Sequence, residues 1–350
     1  MAIKKVTIRD VAREAGVSVT LVSFVMNAKV GKDGRLDCPV NPKTAARVLE
    51  VAKRLGYRKN NAAASLRSGR SHTIALLIPD IANPFYSDIC RYLENVAYKA
   101  GYTVLFASSD ESWQKLGNLI DTVIGYNVEG LIVAPCAGCE PVLDKALSYN
   151  IPIVLIDRNI PGEGYGRVLV NNLEAGKQAT KFLVDKGLRK VEMLTYSNVI
   201  TTLSEREYGY RETMRECGLE TEIKVHPVDY DAEKARSEAV SIFRDAKERG
   251  TEAFFLPTKA LSMYALNAAN QLGIRIPDDI AFVCYDESDI FDIHNPVIPH
   301  IIQPLQGLAE QSFNMLHGMI EGIPVEKNLS LSSKLVLSGN VGSHRTPSSL

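Results

Sequence analysis

Short apolar runs alternate with amphipathic stretches along most of the chain. From residue 73 onward, the runs 74–78, 104–106, 131–133 and 153–156 carry almost no polar residue. That pattern predicts strands buried on both faces of a parallel sheet. Between them, 83–100, 114–126 and 141–149 place apolar residues at helical spacing. A second series follows, with strands predicted at 168–170, 191–194, 223–226, 253–256 and 280–284. Helices at 173–186, 203–217, 231–249 and 259–272 are interleaved with them. The chain then returns through a strand at 301–303, a helix at 305–320 and a strand-like segment at 332–337. Strand–helix alternation of this kind predicts a doubly wound α/β fold. Two similar series and a late return predict two lobes, about 73–171 with 303–338, and about 172–302. Ligands in open α/β sheets sit at the carboxyl ends of the strands, so a cleft between lobes is the expected site. Hinge closure is the expected motion.

The first 72 residues follow a different period. Ile8, Val11, Ala12 and Ala15 recur at i, i+3, i+4, i+7, after a Thr7/Asp10 capping box. Gly16 ends that helix, and Ser18 caps a second with Val22, Val25 and Met26 inward. Two short helices joined by a Gly turn make a helix-turn-helix. A third helix is predicted over 43–55, with Ala46, Val48, Leu49, Val51, Ala52 and Leu55 as its apolar positions. The segment 28–42 holds Gly31, Gly34, Pro39 and Pro42 with Lys29, Lys32 and Arg35, and reads as an exposed basic loop. Residues 60–71 are Ala-rich, about two helical turns ended by Gly69. So short a helix is marginal alone and could fold on docking to DNA, or the segment is a plain linker. The resulting division is a head at 1–58, a linker at 59–72 and a body at 73–338.

Charge separates head from body. Residues 1–70 hold 15 Lys/Arg against 5 Asp/Glu, although the whole chain is at −1. A basic head on an acidic body suggests that the head meets a polyanion. Hydrophobic residues at 45% and charged residues at 23% of the 350 fit a globular chain. No apolar run reaches membrane-spanning length, and the polar start (Lys4, Lys5, Arg9, Asp10) does not look like an export signal. Six scattered cysteines suit a reducing compartment. Cys136-Ala-Gly-Cys139 is a lone CxxC after a strand. Zinc needs four ligands and no second pair is visible, so the plain reading is two small loop residues. The histidines show no ligand spacing, and no nucleophile motif or phosphate loop stands in a fitting place. No metal, cofactor or enzymatic activity is expected.

The run Val6-Thr-Ile-Arg-Asp-Val-Ala-Arg-Glu-Ala-Gly-Val-Ser resembles the opening of lac-repressor-type (LacI/GalR family) transcription regulators. The match continues at Val22-Ser23, Asn27, Thr44, Gly56-Tyr57, Asn60, Ala63-x-x-Leu66 and Pro79-Asp80-Ile-x-Asn83-Pro84-Phe85-Tyr86. It extends over nearly the whole chain. The resemblance implies a three-helix head and a two-lobed, periplasmic-binding-protein-like body. It further implies a bacterial, cytoplasmic, nucleoid-bound homodimeric repressor on double-stranded operator DNA. Val19, Thr20 and Phe24 take the base-reading positions, with packing as the other reading of Val19 and Phe24. Thr7, Ser18, Ser23, Asn27 and Thr44 would hold phosphates. Asn60, Ala63 and Leu66 belong to a hinge helix in the minor groove, Leu66 as the apolar wedge. Phe24 departs from the polar or basic residue usual there; it meets a thymine methyl rather than guanine. Lys59 stands where the family usually has proline.

In the body, Ser204-Glu-Arg206-Glu-x-Gly209-Tyr210 and Val283-Cys-Tyr-Asp286 match the family's effector arginine and aspartate. Phe85, Tyr86, Asp157, Arg158, Tyr230 and Gln303 fall at further cleft positions. An Arg–Asp pair facing a cleft suits vicinal hydroxyls; an ion pair between lobes is the other reading. Pro257-Thr258-Lys259 replaces the family's Asn-Asp, so Lys259 opens the choice between sugar, sugar phosphate and uronic acid. The alternatives are a solute-binding protein for sugar transport, and a regulator that responds mainly to a protein partner.

Overall fold

A computed structural model describes residues 6–30, 36–57, 69–197 and 200–337. Asn60, Ala63 and Leu66 lie outside the described residues. The chain divides into two compact units, Met1–Ser71 and His72–Leu350. Among the described residues no helix is long and apolar enough to cross a membrane.

The first unit is a three-helix head. Asp10 accepts the Thr7 amide at 3.0 Å and the Thr7 hydroxyl at 2.7 Å, fixing the start of helix Ile8–Ala15. Gly16 ends that helix with φ +62. Ser18 Oγ takes the Leu21 amide at 3.2 Å and starts helix Val19–Asn27. Helix Pro42–Leu55 closes the core of Val11, Ala12, Ala15, Val22, Val25, Ala45, Val48, Val51 and Ala52. Val48, Val51 and Ala52 are buried as expected and Leu55 packs on them, but Ala46 and Leu49 are exposed and Ala45 is buried instead. Ala45, Val48 and Ala52 already complete an inward stripe at i, i+3, i+7. The expected loop 28–42 is also corrected. It contains strands β1 (Lys29–Val30) and β2 (Leu36–Asp37), paired antiparallel.

The body has two six-stranded sheets. The first runs β13-β7-β6-β5-β3-β4, with β3 Thr73–Ile78, β4 Thr103–Ser108, β5 Leu131–Val133, β6 Ile153–Ile156, β7 Gly166–Val170 and β13 Asn328–Leu331. The second runs β14-β12-β11-β10-β8-β9, with β8 Val191–Tyr196, β9 Lys224–Val228, β10 Ala253–Phe255, β11 Ala281–Tyr285, β12 His300–Ile302 and β14 Lys334–Val336. Every pairing in these sheets is parallel except β12–β14. Helices cover both faces. Ile74, Leu76 and Ile78 of β3 enter one core, and Ala75 and Leu77 enter the other. Burial on both sides is why the strands read as unbroken apolar runs. The chain crosses between lobes three times, after β7, β12 and β13. The expected lobe-one tail 303–338 is therefore corrected: β13 stays in the first sheet, but β14 pairs with β12 in the second.

Candidate functional site

On the head, Ser18, Thr20 and Asn27 are exposed, Val19 is 41% exposed and Phe24 50%. Ser23 and Thr44 are half-buried and Thr7 is exposed. Val22 and Val25 hold the opposite side of helix Val19–Asn27 in the core, so this face is turned outward by packing. Asn27 Nδ2 donates to the Ser23 carbonyl at 2.7 Å and to Ser23 Oγ at 3.1 Å, which sets the polar end of the face. Neither Val19 nor Phe24 is buried in the core of the head.

In the body, a cavity of about 470 Å³ lies between the lobes, lined by Phe85, Tyr86, Asp157, Arg206, Tyr230, Lys259, Asp286 and Gln303 among others. The structure thus brings these eight together with Arg158, the other cleft residue expected from the sequence. Asp157 follows β6, Tyr230 follows β9, Lys259 follows β10, Asp286 follows β11 and Gln303 follows β12. These are carboxyl ends of strands, where no side chain of the sheet competes for the space. Asn83 Oδ1 takes the Phe85 amide at 3.1 Å and Pro84 starts helix Pro84–Lys99, which aims Phe85 and Tyr86 at the cavity.

Arg206 is 4% exposed. Its Nε donates to Asn172 Oδ1 at 2.9 Å and its Nη1 to the Pro257 carbonyl at 2.6 Å. The guanidinium lies 3.7 Å from the centroid of the Tyr285 ring. A desolvated cation over an aromatic face is stabilised by about 2 kcal/mol. The helix that carries Arg206, Thr201–Glu216, packs unusually close to helix Asn172–Asp185. A Cβ on Gly176 would fall 2.2 Å from the Arg206 carbonyl oxygen, and one on Gly209 2.2 Å from that of Leu173. Two glycines at the crossing thus set how deep the arginine sits.

Asp286 accepts from Gln303 Nε2 at 2.6 Å and from the Lys259 amide at 3.1 Å. Arg206 and Asp286 both belong to the second lobe and line one cavity without pairing, so the interlobe ion pair does not form. Lys259 Nζ donates to the Glu287 carbonyl at 3.1 Å rather than to Glu205 or Asp286. On the first-lobe wall of the cleft, Tyr86 OH donates to Asp157 Oδ2 at 2.8 Å. Burial raises the pKa of Asp157 against the pull of Arg158, and burial beside that carboxylate pushes Tyr86 well above the usual phenol value. Both aspartates hold left-handed backbone, φ +66 at Asp157 and +71 at Asp286. Such residues cost about 1–3 kcal/mol each and concentrate at ligand sites. Gln303 Oε1 and Arg158 Nε are buried without a hydrogen-bond partner, although Arg158 Nε lies 3.7 Å from Asp157 Oδ2 as an ion pair.

The sequence reading left out Asn172, Tyr196, Tyr264 and Tyr285. Tyr196 and Tyr264 join the lining, and Tyr196 lies 5.1 Å from Tyr230, centroid to centroid. The signal for Tyr285 was present, since it directly precedes Asp286. Among the described residues no group of three His, Cys, Asp or Glu is placed to hold a metal.

A helix-turn-helix head joined to a two-lobed body with a cleft at its strand ends defines a ligand-responsive DNA-binding protein. The family "Periplasmic binding protein domain" matches residues 74–322, and "Bacterial regulatory proteins, lacI family" matches residues 7–60. The chain belongs to the lacI family of bacterial regulatory proteins. It is a DNA-binding transcriptional regulator, of the repressor type, with an effector-binding body. Catabolite control protein A of Priestia megaterium is 27% identical over 314 residues, 89% of this chain and 91% of that one. The ribose operon repressor of Halalkalibacterium halodurans is 29% identical over 332 residues, 95% of this chain and 96% of that one. The lac repressor dimer bound to operator and the anti-inducer ONPF superposes with a TM-score of 0.81 at 20% identity, covering 95% of this chain and 98% of that one, and supports the fold.

Proposed function

We propose that the protein represses transcription as a homodimer on a pseudo-palindromic operator, and that a sugar or sugar derivative in the cleft controls its DNA affinity. Two recognition helices reach successive major-groove faces only from a dimer. Val19, Thr20 and Phe24 read bases, while Thr7, Ser18, Ser23, Asn27 and Thr44 hold phosphates. Asn60, Ala63 and Leu66 enter the minor groove. We place the protein in the cytoplasm, on the nucleoid, and take binding rather than turnover as the task of the cleft.

The observation that carries the effector reading is the convergence of Arg206, Asp286 and Asp157 with the rings of Phe85, Tyr86, Tyr196, Tyr230 and Tyr264 on one cavity. Directional hydrogen-bonding groups against an aromatic wall suit a hydroxyl-bearing ring. The test is a thermal-shift screen against neutral sugars, sugar phosphates, uronic acids and nucleobases. A ligand at 100 times its dissociation constant stabilises the folded state by about 2.7 kcal/mol. The expected hit is lost in Arg206→Ala and Asp286→Ala. Hits restricted to anions assign Lys259 as the discriminating residue. No hit across the panel sinks the sugar-derivative reading and turns attention to a protein partner.

A further inference from the structure

Neither the cleft nor the DNA face uses the Cys136/Cys139 pair. The chain leaves β5, and residues 136–139 fold as a tight turn in which the Cys139 amide donates to the Cys136 carbonyl at 3.3 Å. Gly138 takes φ +74, which a side chain would resist. Cys139 is the N-cap of helix Glu140–Ser148. The turn places the two cysteines next to each other, three residues apart across one backbone hydrogen bond. They are 2% and 0% exposed, yet Ala137 and Gly138 between them lie on the surface. The pair is thus covered by two small exposed residues. No third His, Cys, Asp or Glu joins it among the described residues, so a zinc reading lacks ligands.

The other described thiols sit in different settings. Cys38 and Cys217 are half-buried, and burial pushes Cys90 up to about 11 and Cys284 up to about 12. At Cys136 the neighbouring Cys139 thiol outweighs burial and lowers the pKa, while Cys139 is raised in return.

We propose that Cys136 and Cys139 are a redox modification site, closing a reversible intrachain disulfide by exchange with a low-molecular-weight disulfide. The Cys136 thiolate attacks one sulfur of that disulfide, and one small thiolate leaves and takes up a proton. Cys139 then loses its proton and attacks the Cys136 sulfur, and the second small thiol leaves. Two protein thiols are oxidised by two electrons, and one small disulfide is reduced to two thiols.

The site adjoins the cleft. The Pro135 carbonyl, one residue before Cys136, accepts from Arg158 Nη1 at 3.4 Å, and Arg158 lines the cavity. The turn after β5 also occupies, in the first sheet, the place that 256–258 after β10 hold in the second, since β5 and β10 are the fourth strands of matching orders. Trp113, the chain's single tryptophan, has Cδ1 3.7 Å from where a Gly138 Cβ would stand. A disulfide there quenches indole emission, which gives an internal reporter.

The test uses the full chain, reduced and then equilibrated in buffers of increasing ratio of oxidised to reduced glutathione. Peptide mapping without reductant identifies the bonds formed, and Trp113 emission is followed in parallel. The expected result is a linked Cys136–Cys139 peptide, two hydrogens lighter, with a fall in emission that dithiothreitol reverses. Cys139→Ser is expected to stop at one glutathione on Cys136, and Cys136→Ser to give neither product. Cys136 and Cys139 remaining reduced in the most oxidising buffer overturns the proposal. So does glutathione on Cys136 of the unaltered chain with no intrachain bond. The peptide map of that chain decides the matter even where a variant fails to fold.

Discussion

Replacing Gly176 by alanine tests whether the close helix crossing sets the effector site. The added Cβ would lie 2.2 Å from the Arg206 carbonyl oxygen, 3.0 Å from its carbonyl carbon and 3.1 Å from its Cα. Ordinary carbon contacts are about 3.5–4.0 Å, and the obstacle is backbone, which has no rotamer to escape into. The helices Asn172–Asp185 and Thr201–Glu216 must part by on the order of 1 Å, a gap that forfeits about a quarter to a half of each contact along the seam. That seam holds Ala175, Ala179 and Leu183 against Tyr210 and Met214. Overpacking of this kind costs about 1–3 kcal/mol, and the backbone obstacle places this site at the upper end. Alanine's better helix propensity returns about 1 kcal/mol. The net is a loss of about 2 kcal/mol, or roughly 4–8 °C in the Tm of a body this size. Gly125 is the control, because a Cβ there meets nothing within 4 Å. Gly125→Ala is expected to be neutral or stabilising by up to about 1 kcal/mol. Scanning calorimetry of the three chains gives the comparison. A Gly176→Ala transition at or above that of the unaltered chain refutes the argument.

Arg206→Lys removes the donors to Asn172 and Pro257; we expect a loss of about 1–3 kcal/mol without ligand and no thermal shift with any ligand found. Phe24→Ala is expected to leave Tm unchanged, because the ring is half exposed. Operator affinity should fall about tenfold, close to 1.4 kcal/mol, in a gel-shift titration at fixed salt; equal affinity removes Phe24 from base reading. Burial works against ionisation of Glu192, but His226, Thr251 and Arg249 at 2.6, 2.7 and 2.9 Å outweigh it and hold the pKa at about 2, below the ordinary 4.5. Its folded pKa is depressed, so its contribution is full above pH 4.5 and is lost as pH falls toward 2. Tm against pH should flatten over that window in Glu192→Gln, and an unchanged slope contradicts the network.

The strands read most plainly from the sequence were those with two buried faces. β3 was legible because successive residues enter different cores. β13 was missed because Asn328 and Ser330 are exposed on a sheet edge and break any apolar run. β1 and β2 have two residues each, too few for a period. The third head helix shows the limit of periodicity: Ala45 and Ala46 are both apolar, and only packing selects one. In the cleft, Arg206 and Asp286 stood in motifs, whereas Asn172 sits next to the true cap Asn171 and reads as part of a helix start. Tyr264 lies within a helix, and nothing in its neighbours signals that the topology turns it toward the cavity.

Apart from the edge strands β13 and β14, which run in opposite senses against their neighbours, the two sheet orders match position for position, so β6 corresponds to β11. Asp157 and Asp286 are the first residues beyond these strands, and both hold positive φ. Each lobe therefore presents one carboxylate from the same place in its own fold. The partners differ. Asp157 is bonded to Tyr86 of its own lobe, whereas Asp286 is bonded to Gln303, which lies on the crossing between β12 and helix Leu305–Ile320. A ligand that takes over the Gln303–Asp286 bond acts directly on a segment that joins the lobes. A ligand that engages only Asp157 does not. Differential binding to open and closed bodies then follows from which carboxylate a ligand claims, and only ligands with such a difference shift the equilibrium.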